Sequence, residues 1–429
     1  MAKCHIYSKF RPLKSILDGQ KVYFNKISHA PYRWTLGLIL RKDTAMKKWI
    51  LILSFVMYNS LSFSQTISDL YSTELGGPDI HGDLYQKRYA KPTDFRVNYE
   101  KWNGYIIKSN KELELLYSLN PDCEAIKFDF WQQEGKGNDY IDLSSQIGLF
   151  KNLKYLEISS NRIKSYPKNI ENLVNLNEIV LQLRNKEEIE FNFNHFKELK
   201  HLTIHHADNL KEFPLSIFEC ENLVSLKLFR CHRVSNNILS GINNLNKLQE
   251  LFIWDSRLLL PNDFNPSLNL KILILERYRS ELPESIYDIK SIEKLALCTF
   301  FDTIDLKKIS KLQNLKTLEL WYQDGFKNEL SLSKLEHLAI ITFKGDNLSI
   351  GIDELPSLES LKIWDCSNIE SLDNISNPQL KSIIIRSNPN LIDLNLESER
   401  LIKLEEVIIK SNPKCIMKND KINGITIQN

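Results

Sequence analysis

Asn152-Leu153-Lys154-Tyr155-Leu156-Glu157-Ile158-Ser159-Ser160-Asn161 carries the pattern that organises this chain. Leu156 and Ile158 alternate with Tyr155, Glu157 and Ser159, and this period of two predicts a short strand with the two aliphatic residues on one face and the other three opposite. The apolar frame LxxLxL begins at Leu153 and returns at Leu176, Leu199, Leu223, Leu248, Leu270, Ile292, Leu315, Leu335, Leu358, Leu380 and Leu404, at intervals of 20 to 25 residues. A unit that short cannot bury its own apolar face. Neighbouring units must stack and share one continuous core, which makes the chain a solenoid and its free strand face a surface for binding.

After each strand comes a turn and then an apolar residue followed by proline, seen as Tyr166-Pro167, Phe213-Pro214, Leu260-Pro261 and Leu282-Pro283, each with Ile or Phe three residues on. The chain crosses the core there and returns along the outer side. The pattern closely resembles the leucine-rich repeat family, whose unit reads LxxLxLxxN or LxxLxLxxC, and the resemblance covers about residues 150 to 412. It implies an α/β solenoid: an arc with a parallel β-sheet on the concave face and short extended or 3-10 segments on the convex face.

The family's buried Asn or Cys ladder position is kept at Asn161, Cys231, Cys366, Asn388 and Asn412 but not at Ala207, Ser256, Tyr278, Phe300, Gln323 and Phe343, which predicts irregular curvature in the middle of the arc. Cys123, Cys220 and Cys415 stand at or beside apolar positions, so buried thiols are expected, with Cys220 and Cys231 the one pair to test as a disulfide.

Before the repeats, Ser109-Asn110-Lys111-Glu112-Leu113-Glu114-Leu115-Leu116 has a helical pattern, and a poor first repeat surrounds Cys123, Ile126 and Phe128. An open-ended solenoid needs a cover for its first unit, so residues 65–122 are assigned to an N-terminal segment and cap, and residues 123–429 to the solenoid, with about 12 repeats from 150. Residues 66–99 have no legible pattern. Further upstream, Met46-Lys47-Lys48, an apolar run from Trp49 to Met57 and the small-residue site Ser62-Phe63-Ser64 stand in the order of a secretory signal peptide, 46–64. Residues 1–45, with nine Lys or Arg against Asp18 and Asp43, then become an over-extended N-terminus with Met46 as the true start. The alternatives are a basic leader with an uncleaved membrane anchor, or an intracellular scaffold if Met1 is the start.

Residues 1–64 hold eleven basic and two acidic residues of the chain's 56 and 54, so the remainder has a net charge of −7 and nucleic acid is a poor partner. An exported protein in the periplasm, at the cell surface or secreted, with no stable membrane insertion after cleavage, is the expectation.

The strand frame orders the outward residues into columns. The position after the third apolar residue reads Ser159, Gln182, His205, Phe229, Trp254, Glu276, Cys298, Trp321, Ile341, Trp364, Arg386 and Lys410. An exposed strand face should be polar, so the aromatics there need a reason. Adjacent columns add Arg230, Phe252, Asp255, Arg277, Tyr322 and Asp365. Two readings stand: the aromatics pack along the sheet and shield it, or they are contacts. With strands about 4.8 Å apart, Phe229 and Trp254 are neighbours, while Trp254, Trp321 and Trp364 stand about 14 and 10 Å apart, an aromatic platform in at least two patches.

His201 and His205, about 13 Å apart on one strand, cannot share a metal ion. The sequence holds no HExxH, GxSxG or GxxxxGK motif, and Asp255 and Asp365 lie about 24 Å apart, too far for paired acid and base work. Neither enzyme activity, metal nor cofactor is expected. The function implied is recognition of a protein or peptide by the concave face, chiefly through Phe229, Trp254, Trp321 and Trp364; the alternative ligand is a glycan stacked on the aromatic platform.

Overall fold

The computed structural model describes residues 104–427 apart from 108, 129–140, 159–162, 185, 236–237, 266, 268, 279, 300–302, 347, 349, 416–420 and 423, together with 23–26 and 34–37. The signal-peptide segment, residues 66–99, Ser159, Asn161 and Phe300 lie outside the described residues, as does most of the leader. Within the leader, Tyr23–Lys26 and Trp34–Gly37 pair antiparallel.

From residue 104 onward the chain builds one 14-stranded sheet whose strands follow in sequence order and pair in parallel. They are β1 Gly104–Ile107, β2 Ala125–Phe128, β3 Tyr155–Ile158, β4 Glu178–Gln182, β5 His201–His205, β6 Ser225–Phe229, β7 Glu250–Trp254, β8 Ile272–Tyr278, β9 Lys294–Thr299, β10 Thr317–Trp321, β11 His337–Ile341, β12 Ser360–Trp364, β13 Ser382–Arg386 and β14 Glu406–Lys410. The frame residues fill the core: Leu156, Leu202, Leu226, Leu251, Leu273, Leu295, Leu318 and Leu361 are all fully buried.

The outer segments are short 3-10 turns at Ser145–Leu149, Lys168–Asn172, Phe193–His195, Leu215–Glu219, Ile242–Asn244, Glu284–Asp288 and Ile352–Glu354. Pro167, Pro214 and Pro283 stand immediately before three of them, where the missing N–H costs no hydrogen bond and the fixed φ suits entry into the turn. Ile170, Ile217, Phe264 and Ile286, each three residues after a proline, are fully buried. That spacing returns one side chain per repeat to the core.

At the N-terminal end, helix α1 (Asn110–Leu119) joins β1 to β2. Ser109 caps it, its hydroxyl oxygen accepting from the Glu112 N–H at 3.2 Å, and Leu113 and Leu116 are buried. β1 has no counterpart in the repeat frame, and the sheet therefore starts one strand earlier than the poor repeat around Ile126.

The ladder varies as the sequence does. Asn388 Oδ1 accepts from the Cys366 N–H at 2.9 Å, and Asn412 Oδ1 accepts from the Asn388 N–H at 2.9 Å. At the divergent positions Ser256 donates to the Cys231 carbonyl at 3.2 Å, Gln323 donates to the Trp321 carbonyl at 2.7 Å, and the buried Tyr278 hydroxyl accepts from the Leu260 N–H at 2.9 Å. Phe343 makes no such bond its own; it fills the space and stacks on Phe326 at 4.9 Å.

Candidate functional site

Each strand turns alternate side chains away from the core, and the register aligns these into columns. Phe229, Trp254, Glu276, Cys298, Trp321, Ile341, Trp364, Arg386 and Lys410 are consecutive paired neighbours. The column breaks into two aromatic runs. His205 stacks on Phe229 at 4.7 Å between ring centroids, and Phe229 meets Trp254 edge to face at 5.8 Å. Farther on, Tyr322 and Trp364 pack against a cluster of Cys298, Trp321, Ala339 and Ile341, and the Arg386 guanidinium lies over the Trp364 ring at 5.2 Å.

Burial separates the ten expected contact residues. Phe229 and Trp321 are each only 8 % exposed, closed over by their neighbours on the face. Phe252, Trp254, Tyr322 and Trp364 are half-buried and present ring surface to solvent. Between the runs lie Glu276 and Cys298, 5 % and 2 % exposed. Phe229 and Trp321 thus pack over the sheet, and the other four stand partly exposed around them. Ile274, half-buried and paired with Phe252, extends this apolar face; the strand alternation carried that signal.

The polar members share a feature that the frame did not disclose. Arg230, Asp255, Arg277, Tyr322 and Asp365 have φ of 59°, 44°, 51°, 58° and 57°, and His206, Thr342, Ser387 and Ser411 adopt the same left-handed conformation. Each follows the outward column residue of its strand, where the chain leaves the sheet or, at Arg277 within β8, where the register shifts. The N–H groups of Arg230, Asp255 and Asp365 still donate to the next strand, to the carbonyls of Trp254, Glu276 and Arg386 at 2.9, 2.9 and 3.0 Å. Glycine and asparagine suit this backbone best, yet arginine, aspartate and tyrosine occupy it beside the aromatic column.

Their charges are joined. Arg230 Nε is 3.2 Å from Asp208, His232 Nε2 is 3.5 Å from Asp208 and 3.6 Å from Asp255, and Arg277 Nη1 is 3.4 Å from Asp255. Pairs this open to water contribute about 0 to 1 kcal/mol each, so their effect is to hold side-chain positions along the rim. Asp365 accepts from Thr342 at 3.4 Å. Burial first, then Cys298, pushes the Tyr322 hydroxyl up; Glu276 and Asp365 act in the same direction and Arg277 opposes them.

Near the start of the face, burial lowers His201 and His205 to about 4, so both are neutral at pH 7. Among the described residues, no group of three His, Cys, Asp or Glu side chains is placed to hold a metal ion. Cys220 and Cys231 are not bridged, and burial pushes both thiols up to about 12. A groove of about 280 Å³ lies where strands β8 to β10 begin, lined by Asn269, Lys271, Ser291, Glu293, Asn314, Lys316 and Lys334. Its one carboxylate, Glu293, is paired with Lys316 at 3.1 Å and Lys271 at 3.7 Å. Among the described residues, no helix is long and apolar enough to cross a membrane.

The second apolar residue of each frame decides the fold. Leu156, Ile179, Leu202, Leu226, Leu251, Leu273, Leu295, Leu318, Leu338, Leu361, Ile383 and Val407 pair one with the next across the sheet, one strand to each frame, and the β8–β9 register shifts only beyond them, between Glu276 and Tyr278. The chain folds as a leucine-rich repeat solenoid. No family profile matches it. Over 224 residues, 49 % of its length, the chain is 25 % identical to the human volume-regulated anion channel subunit LRRC8B, and it spans 27 % of that relative's length. Similar solved structures include internalin InlF of Listeria monocytogenes, at 15 % identity and a TM-score of 0.49 over 68 % of this chain and 84 % of that one. A leucine-rich repeat protein of Leptospira interrogans shows 20 % identity and a TM-score of 0.43 over 74 % and 89 %. The plant peptide hormone receptor RGFR1 shows 19 % identity and a TM-score of 0.40 over 72 % and 57 %.

Proposed function

We propose that this leucine-rich repeat protein is an exported, non-catalytic recognition module that binds a protein or peptide through the concave face, with Trp254, Phe252, Tyr322 and Trp364 as principal contacts and Phe229 and Trp321 as the packed support beneath them. The observation that carries the reading is the open aromatic rim set on a closed, rigid sheet and edged by polar side chains in the left-handed conformation. Trp, Tyr and Arg dominate interface energetics, and a rigid face loses little entropy on binding. Arg230, Asp255, Arg277 and Asp365 supply the charged border.

The test is capture of a partner from the native environment by the full chain and by a Trp254→Ala, Tyr322→Ala, Trp364→Ala variant with an unchanged melting profile. Loss of capture supports the proposal, and equal capture overturns it. A glycan array run with the same two proteins reads the sugar alternative: glycan binding lost in the variant replaces the peptide reading. Export is tested by mass spectrometry of the N-terminal peptide of the native protein, which is expected to start near Gln65; a start at Met1 overturns it.

A further inference from the structure

Along most of the concave face, strand lysines meet carboxylates of the next strand: Lys127 with Glu157 at 2.8 Å, Lys227 with Glu250 at 3.3 Å and Lys294 with Glu319 at 3.5 Å. The pattern stops at β12. There the outward side chains include Lys362, Arg386 and Lys410, and among the described residues none of the three is in an ion pair. Lys362 and Lys410 are exposed, and Arg386 is half-buried with its guanidinium over the Trp364 ring at 5.2 Å. Asp365 and Glu406 share this end of the face, but they accept hydrogen bonds from Thr342 at 3.4 Å and Ser382 at 2.8 Å.

Arg386 and Lys410 stand directly opposite each other in register. Like charges so placed destabilise a sheet, and an anion lying between them relieves the repulsion. Lys362 is diagonal to Arg386, about 8 Å away on the strand grid. Ile384 and Ile408, half-buried and paired with each other, lie beside the two cations, and next to such apolar surface opposite charges attract more strongly than in water. The contact with Trp364 holds the planar Arg386 guanidinium in place, and that fork matches the two oxygens of a carboxylate. From the midline of β13 and β14 to Trp364 on β12 is about 7 Å, the distance of about 6.6 Å that separates side chains i and i+2 of an extended peptide.

We infer that the C-terminal end of the concave face is a carboxylate site, which takes an acidic side chain of an extended peptide between Arg386 and Lys410 and an apolar side chain two residues away on Trp364. This rests on the concave face being the recognition surface.

The experiment pans a random nonapeptide display library on the full chain, then measures a synthetic nonapeptide with glutamate at position 5 and leucine at positions 3 and 7, which covers both chain directions. The expected result is enrichment of Asp or Glu two residues from an apolar side chain, and an affinity for the glutamate peptide at least about tenfold above that of its glutamine counterpart, narrowing as salt is raised. In the Arg386→Gln, Lys410→Gln variant the acidic preference is expected to vanish while apolar selection remains. Lys410→Gln alone alters only an exposed side chain and is expected to reduce the preference with an unchanged melting profile. Absence of acidic enrichment, or an acidic preference that survives the double variant, overturns this inference. Equal affinities of the unaltered protein for the glutamate and glutamine peptides overturn it whatever the variants do, as does retention of sulfated glycans without acidic-peptide binding. Loss of the native partner in the triple aromatic variant, seen together with equal affinities for the two peptides, leaves the broader recognition proposal standing; undiminished capture by that variant overturns both.

Discussion

Phe229 and Trp254 stand directly opposite each other on β6 and β7 with their rings edge to face, 5.8 Å between centroids, yet only Trp254 presents its ring to solvent. The pair thus divides support from contact. Phe229→Ala is expected to cost about 3 kcal/mol in urea unfolding, because it empties a packed site. Trp254→Ala is expected to cost less in unfolding and to lose partner affinity by about 2 kcal/mol, measured by calorimetry. The reverse order of effects in the two variants would refute the division.

Asn388 bonds into the turns on both sides of it. Its Oδ1 accepts from the Cys366 N–H at 2.9 Å and its Nδ2 donates to Asn412 Oδ1 at 3.0 Å. Asn388→Ala strands a buried N–H and is expected to lower stability by about 2 kcal/mol. Ser387→Ala, at the half-buried neighbouring position, serves as the control and should leave the urea midpoint nearly unchanged.

Thr342 is β-branched and sits at φ 55°, a backbone region that such residues rarely enter. Thr342→Asn keeps a polar side chain and suits the left-handed conformation, so a gain of about 0.5 to 1 kcal/mol is expected, read as a higher melting temperature. A fall in melting temperature would show that the 3.4 Å contact with Asp365 outweighs the strain.

Acid should loosen the early strands. His201 and His205 are held at about 4 in the folded chain by burial, whereas the unfolded chain takes up their protons near 6.5. Between those values the unfolded state binds more protons, so stability is fully present above about pH 6.5 and declines as pH falls towards 4. The expected loss, complete only below about pH 4, is about 3 kcal/mol per histidine. His205→Gln should flatten the pH profile of unfolding in that window, and an unaltered slope would contradict this account.

Lys227 buries a charge on the concave face, with its side chain 3 % exposed, 3.3 Å from Glu250 and 5.3 Å above the Phe252 ring. Removing one member of such a pair takes an ion-pair partner from the other. Glu250→Gln is expected to destabilise by about 1 to 3 kcal/mol, whereas Lys227→Met, which leaves the more exposed Glu250 to water, should be near neutral. Thermal unfolding of the two variants checks the asymmetry.

The LxxLxL frame by itself determined the solenoid, the order of its strands and the membership of each outward column, because a period of two on a 20 to 25 residue repeat admits one register. Ser109 and the Leu113 and Leu116 pair likewise announced α1, and the prolines announced the outer turns. Which members of a column are open was decided only in three dimensions. Exposure of Trp254 and closure of Trp321 depend on the side chains flanking them, Ala339 and Ile341 on one side and Cys298 on another, and those arrive from frames more than 15 residues away. The left-handed column was equally hidden, since Arg230, Arg277 and Tyr322 are not residues whose local preference selects that backbone, though Asp255 and Asp365 tolerate it; the hydrogen-bonded ladder of the stacked repeats imposes it.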